Sequence, residues 1–233
     1  FTYGDELDID IERLLDDESA TIGVLLTAGV KSSWETQEGI RQTGDIQAQG
    51  DGTSIVIRGN DKTFKSTSND VTSYLMAVAG IETDSAELKY TGMYIHKGTK
   101  EARTLQGYDT SDSGDVREDF TEFFERELIN HQLNYNYLFQ NDIQLDVRLA
   151  GGDASRYAPY ERVVFYEDTD DRGFWRYDVN TGRNQTQFSY VNDDNENFGI
   201  DLTFPLQLGD QEVIIKTGFD QSNNYRDAQV RSY

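Results

Sequence analysis

The stretch from Asn197 to Gln221 sets the tightest limit on what this chain can become. Phe198, Ile200, Leu202, Phe204 and Leu206 alternate with Asn197, Gly199, Asp201 and Thr203. A polar turn stands at Gly209-Asp210-Gln211, and Val213, Ile215, Thr217 and Phe219 then alternate with Glu212, Lys216 and Gly218. Successive side chains of a strand point to opposite faces, so the pattern predicts a β-hairpin with one apolar and one polar face. Its arms exceed the usual five or six residues of a soluble strand. Alternating segments of roughly ten residues are what a tilted strand needs to cross a bilayer.

The pattern recurs. Leu7, Ile9 and Ile11 alternate with Asp8, Asp10 and Glu12, turn at Asp16 to Ser19, and pair with the run Ile22, Val24, Leu26, Ala28, Val30. Val71 to Ile81 turns at Glu82 to Ser85 and returns through Leu88, Tyr90 and Tyr94. Ile129 to Phe139 turns at Gln140-Asn141-Asp142 and returns through Ile143, Leu145, Val147 and Leu149. Between these hairpins lie polar stretches at 31–69, 97–119 and 153–196, read as long connections, the first holding one short strand at Ser54 to Arg58. The expected fold is all-β: an antiparallel transmembrane barrel wall of about eight strands, with short periplasmic turns and long extracellular loops. Pro205 falls at a strand end, where a missing donor is tolerated. Tyr94, Tyr135, Tyr137, Phe139, Phe204 and Phe219 fit an aromatic girdle. The series Asp8, Asp10, Glu12, Asp142, Gln144, Asp146, Asn197 and Asp201 faces a hydrated lumen.

Composition fits a barrel better than a compact core. Asp and Glu number 43 against 21 Lys and Arg, a net charge of −22, which argues against a nucleic-acid partner. Only 36% of residues are hydrophobic, with a mean hydropathy of −0.70, yet 12% are aromatic. A polar lumen, polar loops and alternate apolar residues reconcile these values. Cysteine is absent, which removes disulfides, thiolate metal sites and thiol nucleophiles. No apolar run is long enough for a transmembrane helix, and Phe1-Thr-Tyr-Gly-Asp-Glu has no leader character.

The segments Glu118-Asp-Phe-Thr-Glu-Phe-Phe-Glu-Arg-Glu-Leu128, Ala154-Ser-Arg-Tyr-Ala-Pro-Tyr-Glu-Arg162 and Asn197-Phe-Gly-Ile-Asp-Leu-Thr-Phe-Pro205 resemble the barrel of TonB-dependent outer-membrane receptors. So does the closing run from Lys216-Thr-Gly-Phe-Asp220 to Arg231-Ser-Tyr233. The resemblance covers most of the chain. It implies residence in the cell outer membrane and a barrel of about 22 strands closed by a plug. It also implies TonB-driven uptake of a scarce ligand: an iron chelate, cobalamin or an oligosaccharide. No TonB box and no plug is found, so residues 1–233 are expected to be one barrel portion of a larger receptor. TonB would then be met through a plug that this chain lacks, and outer-membrane lipid would surround the wall. The alternatives are a standalone small barrel with an adhesive or structural role and a soluble carbohydrate-binding β-sandwich.

No cofactor, metal site or catalytic residue is expected. Glu167 to Gly173 resembles a calcium loop, but Arg172 stands where an oxygen ligand belongs, and Asn192 to Asn197 reads as a solvated acidic loop. His96 and His131 lie on different hairpins without a third partner. No nucleophile motif precedes a helix. The candidate ligand-binding residues are aromatics of the long connections, Trp34, Tyr108, Tyr157, Tyr160 and Trp175, which can stack on a sugar or a catechol ring.

Overall fold

The computed structural model describes residues 1–10, 19–48, 55–112, 114–168, 173–179, 182–209 and 211–233. Strands fill nearly all of it, and no helix occurs among the described residues. In chain order they are β1 (Thr2–Asp10), β2 (Ser19–Ala48), β3 (Ile55–Thr83), β4 (Ala86–Asp109), β5 (Gly114–Leu138), β6 (Gln144–Asp168), β7 (Arg176–Tyr177), β8 (Gln185–Leu208) and β9 (Gln211–Ser232). All belong to one antiparallel sheet in the order β1-β2-β3-β4-β5-β6-β8-β9, with the two-residue β7 paired beside β6. The sheet is not closed: β1 and β9 each have one neighbour. The eight principal strands are those expected from the alternating hairpins.

The expected long loops are corrected. Positions 31–48 and 55–69 extend β2 and β3, 97–109 and 114–119 extend β4 and β5, and 153–168 and 185–196 extend β6 and β8. Asn192 to Asn197 is therefore strand, not loop. The strand foreseen at 54–58 is the start of β3 from Ile55. The turn around Asp16, with Ile11 and Glu12, and the centre of the calcium-like loop, positions 169–172, lie outside the described residues. Of that loop, Gly173 N donates to Asp168 Oδ2 at 2.9 Å.

The turns at one end are tight. Asp142 takes φ 59° and its N–H donates to the Phe139 carbonyl at 3.0 Å, while Gly209 takes φ 64°. A short polar side chain and a glycine are the residues that tolerate this left-handed backbone. In the next turn Thr83 Oγ1 accepts from Ala86 N at 3.0 Å. The strands that leave these turns run 22 to 30 residues from β2 to β9, β7 apart. A bilayer crossing uses about 9 to 11 residues.

Cross-strand partners face the same side of a sheet, so the register assigns faces. Leu7, Ile22, Ile81, Leu88, Tyr135, Val147, Ile200 and Phe219 form one unbroken row across all eight principal strands. The next row on the opposite face is polar, running Asp8, Thr21, Glu82, Glu87, Asn136, Asp146, Asp201 and Gly218. The two faces differ in cover. Among the described residues the buried strand residues Lys62, Thr99, Leu105, Asp109, Val116, Ala158, Ser189 and Gly199 all lie on the polar-row face, with Ala20 the exception. Among the described residues nothing packs against the apolar face, and Leu7, Val24, Leu26, Leu88, Leu149 and Phe219 are exposed on it.

The apolar band does not follow the hydrogen-bonded rows. In β2 it runs from Ala20 to Val30, mostly on one side of the Ile22 row. In β9 it runs from Val213 to Phe219, wholly on the other side of that row. Its centre shifts by about six residues over six strand spacings, roughly 20 Å along the strands for about 29 Å across them. The band is thus inclined by about 35° to the rows, the inclination at which barrel strands tilt.

One irregularity interrupts the ladder. β6 gains a residue at Ala158-Pro159-Tyr160 against both neighbours. Pro159 has no N–H, and a bulge is where a strand interior accepts it.

Candidate functional site

The described residues converge on the polar face beyond the apolar band, where β3 to β8 carry their buried side chains. Phe120, Glu122, Phe124 and Arg126 alternate along β5 and so share this face. Arg103 on β4 sits over Phe120 at 4.6 Å from the ring centroid. Phe124 lies under two guanidiniums, Arg126 at 4.7 Å and Arg156 at 5.1 Å. Arg126 and Arg156 are direct cross-strand partners, and like charges so placed repel. The electron-rich ring face of Phe124 offsets that repulsion, and Arg156 Nη1 also donates to Ser189 Oγ at 2.7 Å.

Glu101, Glu122 and Glu161 are opposed in one row across β4, β5 and β6. Burial, then the charges of Glu101 and Glu161, hold the Glu122 carboxyl above its ordinary value, against the pull of Arg156 and Arg103. Ser66 Oγ donates to Glu101 Oε1 at 2.8 Å.

Towards the far end of the same face lies a cleft of about 340 Å³, lined by Arg41, Asn60, Lys62, Asp109, Asp112 and Arg183 among others. Lys62 Nζ donates to Asp109 Oδ2 at 2.6 Å, with both side chains nearly buried. Burial is the largest single influence on Asp109 and pushes it up. The Lys62 ammonium and the Ser111 N–H together outweigh burial, so the carboxyl is held below its usual value. Arg183 pairs with Asp112 at 2.5 Å and stands 5.6 Å from the Phe165 ring centroid. Phe165 is clasped as well, its N–H donating to Asn184 Oδ1 at 2.8 Å and its carbonyl accepting from Asp178 N at 3.0 Å. Arg41 makes no ion pair among the described residues.

This arrangement offers guanidinium, carboxylate and phenyl groups for binding. No cluster of three or more potential metal ligands occurs among the described residues. His96 Nε2 stands 3.8 Å from Glu125, and His131 Nδ1 shares a 2.6 Å hydrogen bond with Tyr90 on the apolar face.

The five sequence-derived candidates fall elsewhere. Trp34, Tyr108, Tyr157 and Tyr160 lie on strands β2, β4, β6 and β6, and Trp175 lies just before β7. By register the four strand residues share the face of the apolar band, turned away from the Arg–Glu–Phe lattice. Trp34 and Tyr160 stand in one row, joined by Asn69, Lys100 and Phe123. No ring contact among the described residues links any two of the five. The lattice itself was within reach of the sequence, in the period-two set Phe120, Glu122, Phe124 and Arg126. Its partners Arg103 and Arg156 needed the pairing.

Of the lumen series, Asp8, Gln144, Asp146, Asn197 and Asp201 lie on the polar face, where Asp201 accepts from Arg148 at 2.7 Å. Asp142 sits in the turn after β5.

No family model matches the chain, and no curated protein sequence matches it.

Proposed function

We propose that this chain is the barrel wall of an outer-membrane receptor of the TonB-dependent type, without enzymatic activity. It surrounds a polar passage for a scarce ligand: an iron chelate, cobalamin or an oligosaccharide. The observation that carries the membrane part of this reading is the uncovered apolar band, inclined by about 35° to the hydrogen-bonded rows. A slab of fixed orientation meets tilted strands at such a slant, and most of the strands meet it over about the length a bilayer requires. A sandwich needs a second sheet packed face to face about 10 Å away. Here every strand belongs to a single sheet. The receptor type rests on the sequence resemblance of β5, β6 and β8. In this reading the Arg–Glu–Phe lattice and the cleft at Lys62 line the outer part of the passage.

The test is a tryptophan scan in vesicles containing lipids with brominated acyl chains. With Trp34 and Trp175 replaced by Phe, a single Trp is placed at Leu133, Gln132 or Thr121. Position 133 lies within the band, 132 points to the opposite face, and 121 lies beyond the band. Strong quenching at 133 alone is the expected result. Equal quenching at 133 and 132, or none at 133, would overturn the reading.

A further inference from the structure

The face opposite the apolar band is not polar throughout. At the lower edge of the Arg–Glu–Phe lattice, one row sets Lys31, Lys97, Arg126 and Arg156 on β2, β4, β5 and β6 with no acid among them. Only Lys97 of these makes an ion pair among the described residues, at 3.4 Å to Asp70. Like charges on neighbouring strands repel, and an anion set between them relieves that repulsion. The next three rows towards the tight turns are apolar within β2 to β5. The first holds Tyr74, Ile95 and Leu128, the second Met76 beside Met93, and the third Leu25 beside Val78.

Each strand touches only its neighbours in the sheet, so among the described residues nothing packs over this strip, and Leu25 and Tyr74 are exposed. The strip leans. From the row of Ile95 to that of Val78 it moves about one and a half strand spacings towards β2, roughly 30° from the strand direction. The band on the other face slopes in the sense that makes this lean nearly parallel to the membrane normal, so the strip runs along the passage. At its lower end Gly23 and Gly80 are direct partners, and a hollow of about 660 Å³ opens there, lined by Gly4, Leu25 and Val78 among others. A methyl group on Gly23 would meet no atom within 4 Å. Glu6, Glu82 and Glu87 also line the hollow.

We propose that the ligand of this passage is an amphiphile, with an anionic head at the cation row and a single acyl chain laid down the strip into the hollow. The inference rests on the receptor reading above and adds to it the chemical class of the ligand. The cations attract the head, and the three glutamates repel it from the other end, which fixes the orientation. From the row of Arg126 to that of Val78 is about 20 Å along the strands, room for the extended chain of a medium-length fatty acid. Thioethers adapt to a flexible chain, and burying the chain against Met76, Met93 and Val78 supplies affinity. A wholly polar ligand would leave the strip facing water.

The test uses the full chain in phosphatidylcholine nanodiscs and dodecanoate carrying a photoreactive diazirine at its tail end. Labelling is mapped residue by residue, and its half-saturating concentration is read at Val78. The variants K97Q/R126Q, M76Q/M93Q and M76L/M93L are compared with the parent, and unchanged thermal midpoints establish that they fold. The expected result is saturable labelling at Val78 that K97Q/R126Q and M76Q/M93Q each weaken by about tenfold, with M76L/M93L close to the parent. Unlabelled dodecanoate should compete, and hexanoate and dodecyltrimethylammonium should not. Competition by dodecyltrimethylammonium equal to that by dodecanoate overturns the anionic head, and equal competition by hexanoate overturns the acyl chain. Labelling confined to Leu75 and Ala77, which face the other way, overturns the proposal in favour of simple partition into the surrounding lipid. Absence of labelling in the parent overturns it too and leaves the strip to a protein partner. Dodecanoyl citrate with and without ferric iron separates two sources of the same chemistry: competition that needs iron assigns the head to a chelate, and competition without it to an acylated carboxylate. Failure of the membrane reading itself would appear separately, in the brominated-lipid scan.

Discussion

Lys62 stays buried, with 7% of the residue exposed, because Asp109 meets its ammonium group and Ser111 N–H satisfies the other Asp109 oxygen at 2.9 Å. Removing one partner leaves the other charge buried without compensation. Lys62→Ala is therefore expected to lower stability by about 2 to 3 kcal/mol, read as the midpoint of denaturant unfolding. Lys62→Leu combined with Asp109→Leu should recover most of that loss; no recovery would mean that the pair is not the source. The pH dependence has a definite sign. Asp109 is held below its ordinary value of 3.8, so its contribution is present above that value and is lost as pH falls through the folded value. Asp109→Asn should remove that acid-side loss. Glu122 runs the other way. Its carboxyl is raised above 4.5, so the native state prefers it protonated, and stability declines as pH rises from 4.5 through the folded value. Glu122→Gln should flatten that decline and leave the protein at least as stable at pH 7, by less than about 1 kcal/mol given its partial exposure. An unchanged pH profile would contradict the assignment.

At the level of the strand, the sequence revealed the lower half of each element and concealed the upper half. Alternation between apolar and polar residues appears only where the two faces meet different surroundings. Ile22 to Val30 and Phe198 to Leu206 show it because one face is apolar and the other polar. Lys97 to Asp109 lacks it because both faces are polar. β4 continues there on backbone pairing and side-chain bridges such as Thr104 Oγ1 to Asp119 Oδ1 at 2.8 Å. Tyr157 and Tyr160 were read as part of a long connection for the same reason, and only Pro159 marks the bulge that sets their face on β6. The bulge makes its own prediction. Deleting Pro159 restores regular alternation while leaving Tyr157, Tyr160 and Arg162 on their present face, so the variant should fold with stability within about 1 kcal/mol of the parent. Deleting Thr121 from the unbulged neighbour β5 turns every residue on one side of the cut to the wrong face, and no folded protein is expected. Circular dichroism and the unfolding midpoint read both results. Equal tolerance of the two deletions would show that the register around Pro159 is not as described.

Across the whole molecule, cohesion comes from the ladder rather than from a core. Among the described residues the buried apolar side chains are Ala20, Leu105, Val116 and Ala158, too few to hold a chain of 233 residues by burial alone. What each strand has instead is backbone pairing along its length, and that pairing differs between the middle of the sheet and its rim. β5 is bonded by β4 and β6, while β9 is bonded by β8 alone. In an antiparallel edge strand, every second N–H points away from the sheet and has only water as a partner. Hydrogen exchange should therefore split β9 into two interleaved sets from Gln211 to Ser232, alternate amides exchanging within minutes and the others slowly. β5 should show protection on both sets from Phe120 to Leu138. The same split is expected in β2 beyond Ala28, where Ala28 N donates to Phe1 O at 2.9 Å and the register with β1 has ended. Uniform protection of β9 would mean that its outer edge is paired, by β1 or by a strand of a second copy. Mixing the chain with an isotopically labelled copy and following exchange at several concentrations distinguishes these two closures. Protection that rises with concentration identifies pairing between copies, and protection independent of concentration identifies closure within one chain.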